Sequence, residues 1–143
     1  MEEMGPDQLH LMKRAVGREA AAYVQSGTVI GLGSGSTALQ AIVTVGRRLA
    51  TGDLRDVHGV ATSYQTAADA QEAGIPLLDI YQIREIDLTI DGADEASPGR
   101  CLIKGGGAAH VVEKIVAALA DRFIAIVDVT KTSQKTGSLA PVP

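Results

Sequence analysis

The sequence predicts an α/β protein in which helices cover a mostly parallel sheet, and three observations carry that reading. Apolar residues recur at helical spacing in four stretches; between them lie short β-branched runs without polar alternation, as in strands buried on both faces; and the two kinds of segment alternate along the chain. The composition agrees. Of 143 residues, 45% are hydrophobic but only 3% aromatic, with no Trp and one Phe, so the core has to be built from Ala, Val, Ile and Leu.

The first helix is expected over 7–25, where Leu9, Met12, Val16, Tyr23 and Val24 recur and Lys13, Arg14, Arg18 and Glu19 occupy other faces. Ser26 and Gly27 close it, and 28–32 reads as a buried strand. A glycine-rich loop leads into a second helix over 36–50, so strand, loop and helix form one βα unit. A weaker strand is expected over 57–62, a helix over 64–73 and a brief extended piece over 75–78. A clearer strand covers 86–90 and ends at Asp91 and Gly92, where glycine suits a turn. Residues 96–100 read as a surface turn, 102–103 as a short strand, 108–121 as a helix whose core stripe is Val112, Ile115, Val116 and Leu119, and 123–128 as the last strand. After Asp128 the chain turns polar and irregular, which suggests either a fraying tail or part of something larger.

Charge and cysteine usage exclude several function classes. The net charge is −4 with a pI near 5.3, and no dense Lys/Arg run occurs, so nothing marks a nucleic-acid backbone as partner. No apolar run approaches the roughly 20 residues of a membrane span. Cys101 is alone and cannot form an internal disulfide, and no apolar leader stretch opens the chain from Met1, which points to a reducing, cytoplasmic setting. His10, His58 and His110 are scattered without metal-ligand spacing.

Three constellations carry chemistry. The run from Gly31 to Thr37 places glycines and the hydroxyls of Ser34, Ser36 and Thr37 at a helix N-terminus, a setting for a small anion such as phosphate. It lacks the lysine of a P-loop and the third glycine of a dinucleotide fingerprint, since Ser36 stands there. From spacing alone it is also readable as a tight turn capped by Ser34 or Ser36. The second constellation is Asp91, Asp94 and Glu95 around Gly92 and Ala93, three carboxylates at the carboxyl end of a strand, where open parallel sheets collect ligands. Such a cluster needs a cation, a shared proton or water, and a solvated turn is the plain alternative.

The third is Lys104 followed by Gly105, Gly106 and Gly107 and then by a helix carrying Glu113. Consecutive glycines suit backbone N–H groups that must approach a ligand, and Lys104 can supply the cation that Asp91 and Asp94 need. One helical turn from Glu113 stand Ala109, His110, Val116 and Ala117. Neighbours so poor in charge raise a carboxyl pKa and suit a base, although an exposed helix Glu remains the bland reading.

Taken in order, the glycine loop, residues 61–66, residues 87–95, the stretch from Lys104 to Ala109 with Glu113 nine positions after Lys104, and 123–131 resemble the type A ribose-5-phosphate isomerases. The resemblance implies a Rossmann-like architecture of the isomerase and CoA-transferase type and interconversion of ribose 5-phosphate and ribulose 5-phosphate without metal or organic cofactor. It implies that Ser34, Gly35, Ser36 and Thr37, with Lys13 and Lys131, hold the phosphate; that Asp91, Asp94 and Lys104 contact sugar hydroxyls and assist ring opening; and that Glu113 carries the proton. Gly92, Ala93, Gly105, Gly106 and Gly107 complete the expected substrate-binding set. The family's chains run on into a second, smaller α/β domain, so the resemblance casts 1–143 as an N-terminal catalytic domain, incomplete at its C-terminal end, of a cytoplasmic homodimer. His110 stands where family members usually carry an apolar residue. The rival readings are a non-catalytic sugar-phosphate-binding domain or inactive fragment of the same fold, and a magnesium-dependent phosphatase built on Asp91 and Asp94.

Overall fold

The computed structural model describes residues 4–143, so the start of the stretch read for a leader lies outside the described residues. Four strands form one parallel sheet: β1 (Val29–Leu32), β2 (His58–Ala61), β3 (Ile86–Asp91) and β6 (Ala120–Ala125), in the order β2-β1-β3-β6. Ile30 sits between Gly59 and Leu88, and Ile90 pairs with Leu32 and Ile124. Successive strands go to opposite sides of β1, so a crevice opens at the carboxyl ends of β1 and β3, the usual ligand position in such sheets.

Helices cover both faces. α1 (Pro6–Ala21), α2 (Ser36–Thr51) and α3 (Tyr64–Glu72) contribute to the larger cluster, in which Ala20, Ala21, Ile42, Val45 and Ala70 pack with Ile30, Leu32, Leu88 and Ile90. On the other face α4 (His110–Leu119) inserts Val116 beside Gly31 and Thr89. The main cluster is aliphatic throughout, as the lack of aromatic residues requires.

Several expectations need correction. α1 ends at Ala21 rather than 25, because residues 22–24 wind in a tighter turn and the Arg48 guanidinium takes the carbonyls of Ala21 (2.6 Å) and Val24 (3.3 Å). The buried stripe of α1 is Gly17, Ala20 and Ala21, small residues that let α1 and α2 approach. The region expected as a surface turn over 96–100 is instead a hairpin: β4 (Glu95–Ser97) pairs antiparallel with β5 (Cys101–Ile103), and only Pro98, Gly99 and Arg100 turn. Three-residue strands are too short to show a period.

α4 begins at His110, two residues later than expected, after Ala108 adopts a positive φ of 63°. It passes directly into β6, which runs over Ala120–Ala125 rather than 123–128, in register with β3 from Ile86 opposite Ala120 to Asp91 opposite Ala125. The expected core stripe holds in half: Val116 is wholly buried and Leu119 packs against the same cluster, but Val112 and Ile115 are 36% and 47% exposed, and Glu113 joins Val116 on the inward face of α4. No described helix is long and apolar enough to cross a membrane.

Candidate active site

The crevice holds a cavity of about 260 Å³, and all three constellations, apart from Glu95 and Gly106, bring their expected residues to it. Ser34, Gly35, Ser36 and Thr37 approach from the loop after β1; Asp91, Gly92, Ala93 and Asp94 from the end of β3; Lys104, Gly105, Gly107 and Glu113 from the glycine run and α4. Lys13 on α1 and Lys131 beyond β6 close the wall. Gly106 alone of the expected set does not line it, and serves instead by donating its N–H to Asp94 Oδ2 at 2.8 Å.

On the loop side, α2 starts at Ser36 after Gly35 at the N-cap, whose φ of 95° demands glycine, and no side chain caps the first turn. Neither Ser34 nor Ser36 is the cap that spacing allowed, so the first-turn N–H groups remain available to an anion. Lys13 Nζ donates to Ser36 Oγ at 3.0 Å, bringing a positive charge to the same place. Ser34 lines the cavity but is otherwise engaged: its N–H donates to Asp91 Oδ1 (3.2 Å), and its hydroxyl lies 2.8 Å from Thr62 Oγ1 and 3.1 Å from both Ser63 Oγ and Thr66 Oγ1. This hydroxyl cluster braces the loop from below, and Thr66 also donates to the Gly33 carbonyl.

On the opposite wall, buried Asp91 accepts from the N–H groups of Ser34 and Gly92 (2.7 Å) through Oδ1. Its Oδ2 faces Lys104 Nζ at 3.1 Å as an ion pair without hydrogen-bond geometry. Lys104 donates to the Gly92 carbonyl at 2.5 Å and lies 3.9 Å from Glu113 Oε1. The lysine therefore serves Asp91 and Glu113, not Asp91 and Asp94 as expected. The grouping of three acids is corrected too: Glu95 points away from the cavity into a separate set of donors, and Asp94 is held by a backbone amide.

Glu113 is 8% exposed, and its Oε2 is buried with no hydrogen-bond partner among the described residues. Burial raises its pKa above the ordinary value of 4.5, the Asp91 charge raises it further, Lys104 pulls it back, and Asp94 adds a smaller upward push. The sequence reading had the direction right from apolar neighbours, but the carboxylate beside it was not visible in the helix pattern.

Four lining or supporting residues were not singled out. Gly33 lets β1 pass so close to Asp91 that a Cβ there would lie 2.2 Å from Oδ1. Ala109 and Val127 line the wall, as does buried Asp128, which accepts from Thr130 N–H (2.9 Å) and hydroxyl and so shapes the turn that presents Lys131. Asp128 lies just past the end of a sheet strand, as Asp91 does at the end of its own, and that position was the available signal. Among the described residues no group of His, Cys, Asp or Glu is arranged to hold a metal ion, and Cys101 is an exposed free thiol.

A parallel α/β sheet with a buried carboxylate–lysine pair beside an uncapped helix N-terminus, both on one cavity at the carboxyl ends of the strands, defines a Rossmann-like protein. Comparison with known proteins makes this specific. Residues 58–143 match the family Ribose 5-phosphate isomerase A (phosphoriboisomerase A). The ribose-5-phosphate isomerase A of Thermosynechococcus vestitus is 49% identical over 140 residues, 98% of this chain and 59% of that one. A solved D-ribose-5-phosphate isomerase in complex with phospho-erythronic acid superposes with a TM-score of 0.88 at 41% identity, covering 90% of this chain and 56% of that one. The isomerase of Methanocaldococcus jannaschii gives 0.84 at 40% identity, over 89% and 56%. The chain belongs to the ribose 5-phosphate isomerase A family, and it spans just under three-fifths of the length of the curated relatives it matches.

Proposed function

We propose that this chain carries the catalytic unit of an aldose–ketose isomerase that interconverts ribose 5-phosphate and ribulose 5-phosphate. The observation that carries the reading is Glu113: a buried carboxylate with an unpartnered oxygen, beside Lys104, on the same cavity as the free N-terminus of α2. The relatives' names and the phospho-erythronic acid bound by a structural neighbour support the substrate class.

In this reading the phosphate sits on the N–H groups and hydroxyls of Ser36 and Thr37, with Lys13 and Lys131 alongside. Anchoring that end orients C1 and C2 of the opened sugar at the opposite wall. Glu113 removes the proton from C2; the electron pair of that C–H bond forms the C1–C2 double bond, and the former C1 carbonyl oxygen becomes the enediol(ate) O1. Returning the proton to C1 while O2 becomes the carbonyl completes the transfer. A carboxylate is too weak a base to deprotonate a carbon acid unaided, so the developing oxyanion needs stabilisation. Lys104 and the N–H groups of the glycine run supply it, and loss of one such donor typically lowers turnover about 10²- to 10³-fold. Asp91, fixed by two N–H groups, moves the proton between O1 and O2, and Asp94 holds a sugar hydroxyl.

The reading extends to the non-oxidative pentose phosphate pathway, to a cytoplasmic setting and to a homodimer, as the family resemblance implies. The test is a coupled isomerisation assay with Glu113→Gln beside the wild type. Turnover and proton exchange at C2 should fall about 10²- to 10⁴-fold, the range for loss of a general acid–base, while phospho-erythronic acid still binds. Near-normal turnover by the variant would remove Glu113 from its role. Turnover that survives EDTA separates the isomerase from a magnesium-dependent phosphatase.

A further inference from the structure

Glu95 takes no part in the chemistry above, yet it is wholly buried at the head of β4. A carboxylate taken out of water is unfavourable unless it is paired or fully hydrogen-bonded. Among the described residues no cation lies within ion-pair distance of Glu95. Instead, Oε1 accepts from Ser133 Oγ at 2.5 Å, Gly137 N–H at 3.0 Å and, more weakly, Ser138 N–H at 3.4 Å. Oε2 accepts from the N–H groups of Leu139 (3.0 Å) and Ala140 (2.9 Å). Every donor comes from the segment 133–140, which the sequence reading took for a fraying tail or the start of something larger.

The same segment is fastened to β4 at three more points. Ala96 forms a parallel bridge with Thr132, the Ser133 N–H donates to the Ala96 carbonyl at 2.9 Å, and Ser97 Oγ lies 2.5 Å from Thr136 Oγ1. β4 is thus held on one side by β5 and on the other by the C-terminal segment.

The two pieces of chain that Glu95 joins both end at the cavity. Asp94 immediately precedes Glu95, and Lys131 stands two residues before Ser133; both line the wall. Lys131 Nζ makes no hydrogen bond or ion pair among the described residues, so its aim depends on its backbone. Leu139, Ala140 and Pro141 meet Asp94 and Lys131 around an adjoining hollow of about 460 Å³.

We propose that Glu95 is a positioning residue that locks the segment bearing Lys131 against the loop bearing Asp94, and so sets the spacing between the phosphate end and the sugar end of the cavity. The inference rests on the isomerase reading for the identity of those two ends. The Ser133 hydroxyl and the three N–H groups from Ser138 to Ala140 outweigh burial and lower the Glu95 pKa to about 2, so the lock is ionised throughout the range in which an isomerase works.

The test compares wild type, Glu95→Gln and Ser133→Ala in the chain as it stands, by calorimetric titration with phospho-erythronic acid and by steady-state kinetics. Gln keeps the shape but turns an NH2 group toward a ring of N–H donors, whereas Ser133→Ala removes one donor and keeps the charge. Glu95→Gln should weaken binding and raise KM about tenfold or more, with a smaller change in kcat, as expected when charge-assisted bonds are lost. Ser133→Ala should move KM the same way by about threefold. A purely structural role would lower the Tm of both variants and leave KM and binding unmoved, and that result overturns the inference. If Glu95→Gln does not fold, the KM and binding shifts of Ser133→Ala decide by the same criterion. Absence of binding by the wild type would overturn the isomerase reading together with this one; binding equal in wild type and variants would overturn this one alone.

Discussion

Glu113 shares one lysine with Asp91, two buried carboxylates facing a single ammonium group, and the pH behaviour of the protein follows from that imbalance. If Glu113 is the base, as proposed, it acts only when ionised, so kcat/KM should fall as pH drops through a value above 4.5, the direction in which burial and Asp91 push Glu113. Lys104 is the one group that opposes the shift. Lys104→Met should therefore move the acidic limb to higher pH as well as lower the rate, and a pH profile of C2 proton exchange checks both. The same shift bears on stability. A carboxyl whose folded pKa is raised contributes stability below its unfolded pKa and loses it as pH rises through the folded value. Ionising Glu113 therefore works against the fold, and Glu113→Gln should raise the Tm at alkaline pH relative to wild type, with the gain shrinking as pH falls toward 4.5. A Tm below that of wild type at pH 8 would contradict this account of Glu113.

At the level of elements, the site is made by close passages between strand ends and loops. β1 runs past β3 at a distance that only Gly33 permits, since a Cβ there would sit 2.2 Å from Asp91 Oδ1 and 2.5 Å from its Cα. Gly33→Ala has to displace the carboxylate that Lys104 faces. Overpacking of this kind destabilises by about 1–3 kcal/mol, and urea titration should read that loss alongside a fall in turnover. A Cβ at Gly35 would meet nothing, but its φ of 95° is needed to turn the chain into α2. The glycine loop and the strand before it were legible in the sequence because glycines and β-branched runs act locally. The β4–β5 hairpin was not, because each strand has three residues and is held by its partner and by the segment 132–140 rather than by a pattern of its own. The exposed side of α4 was misread for a related reason: Val112 and Ile115 are apolar and regularly spaced, but the sheet meets the helix along Glu113 and Val116.

Over the whole molecule two buried carboxylates respond to acid in opposite directions. Glu95, depressed to about 2, contributes stability that is present above pH 4.5 and lost as pH falls from there toward 2. Glu113, whose pKa is raised, takes up its proton at higher pH, so its contribution is gained as pH falls toward 4.5 and is nearly complete below that. The urea midpoint of wild type should therefore gain on that of Glu113→Gln as pH falls toward 4.5, and both should then fall alike between pH 4.5 and about 2.5 as Glu95 is protonated. A wild-type midpoint that did not gain on Glu113→Gln above pH 4.5 would refute the opposition. The main cluster itself is aliphatic and insensitive to pH. Truncating Ile30, wholly buried in the central strand β1, should cost about 2–5 kcal/mol at any pH in this range.

The sequence by itself determined the alternation of strands and helices, the aliphatic core and the three loops that meet at the cavity, because periodicity, glycine placement and motif spacing are properties of neighbours along the chain; Lys13 and Lys131 joined them only through the family resemblance. Only the tertiary structure decided which charge answers which. Lys104 went to Asp91 and Glu113 rather than to Asp94, and Glu95 turned from an apparent cluster of acids to a segment some forty residues further on. Electrostatic partners are fixed by distances of a few ångströms between elements remote in sequence, and those distances exist only once the sheet has set its register.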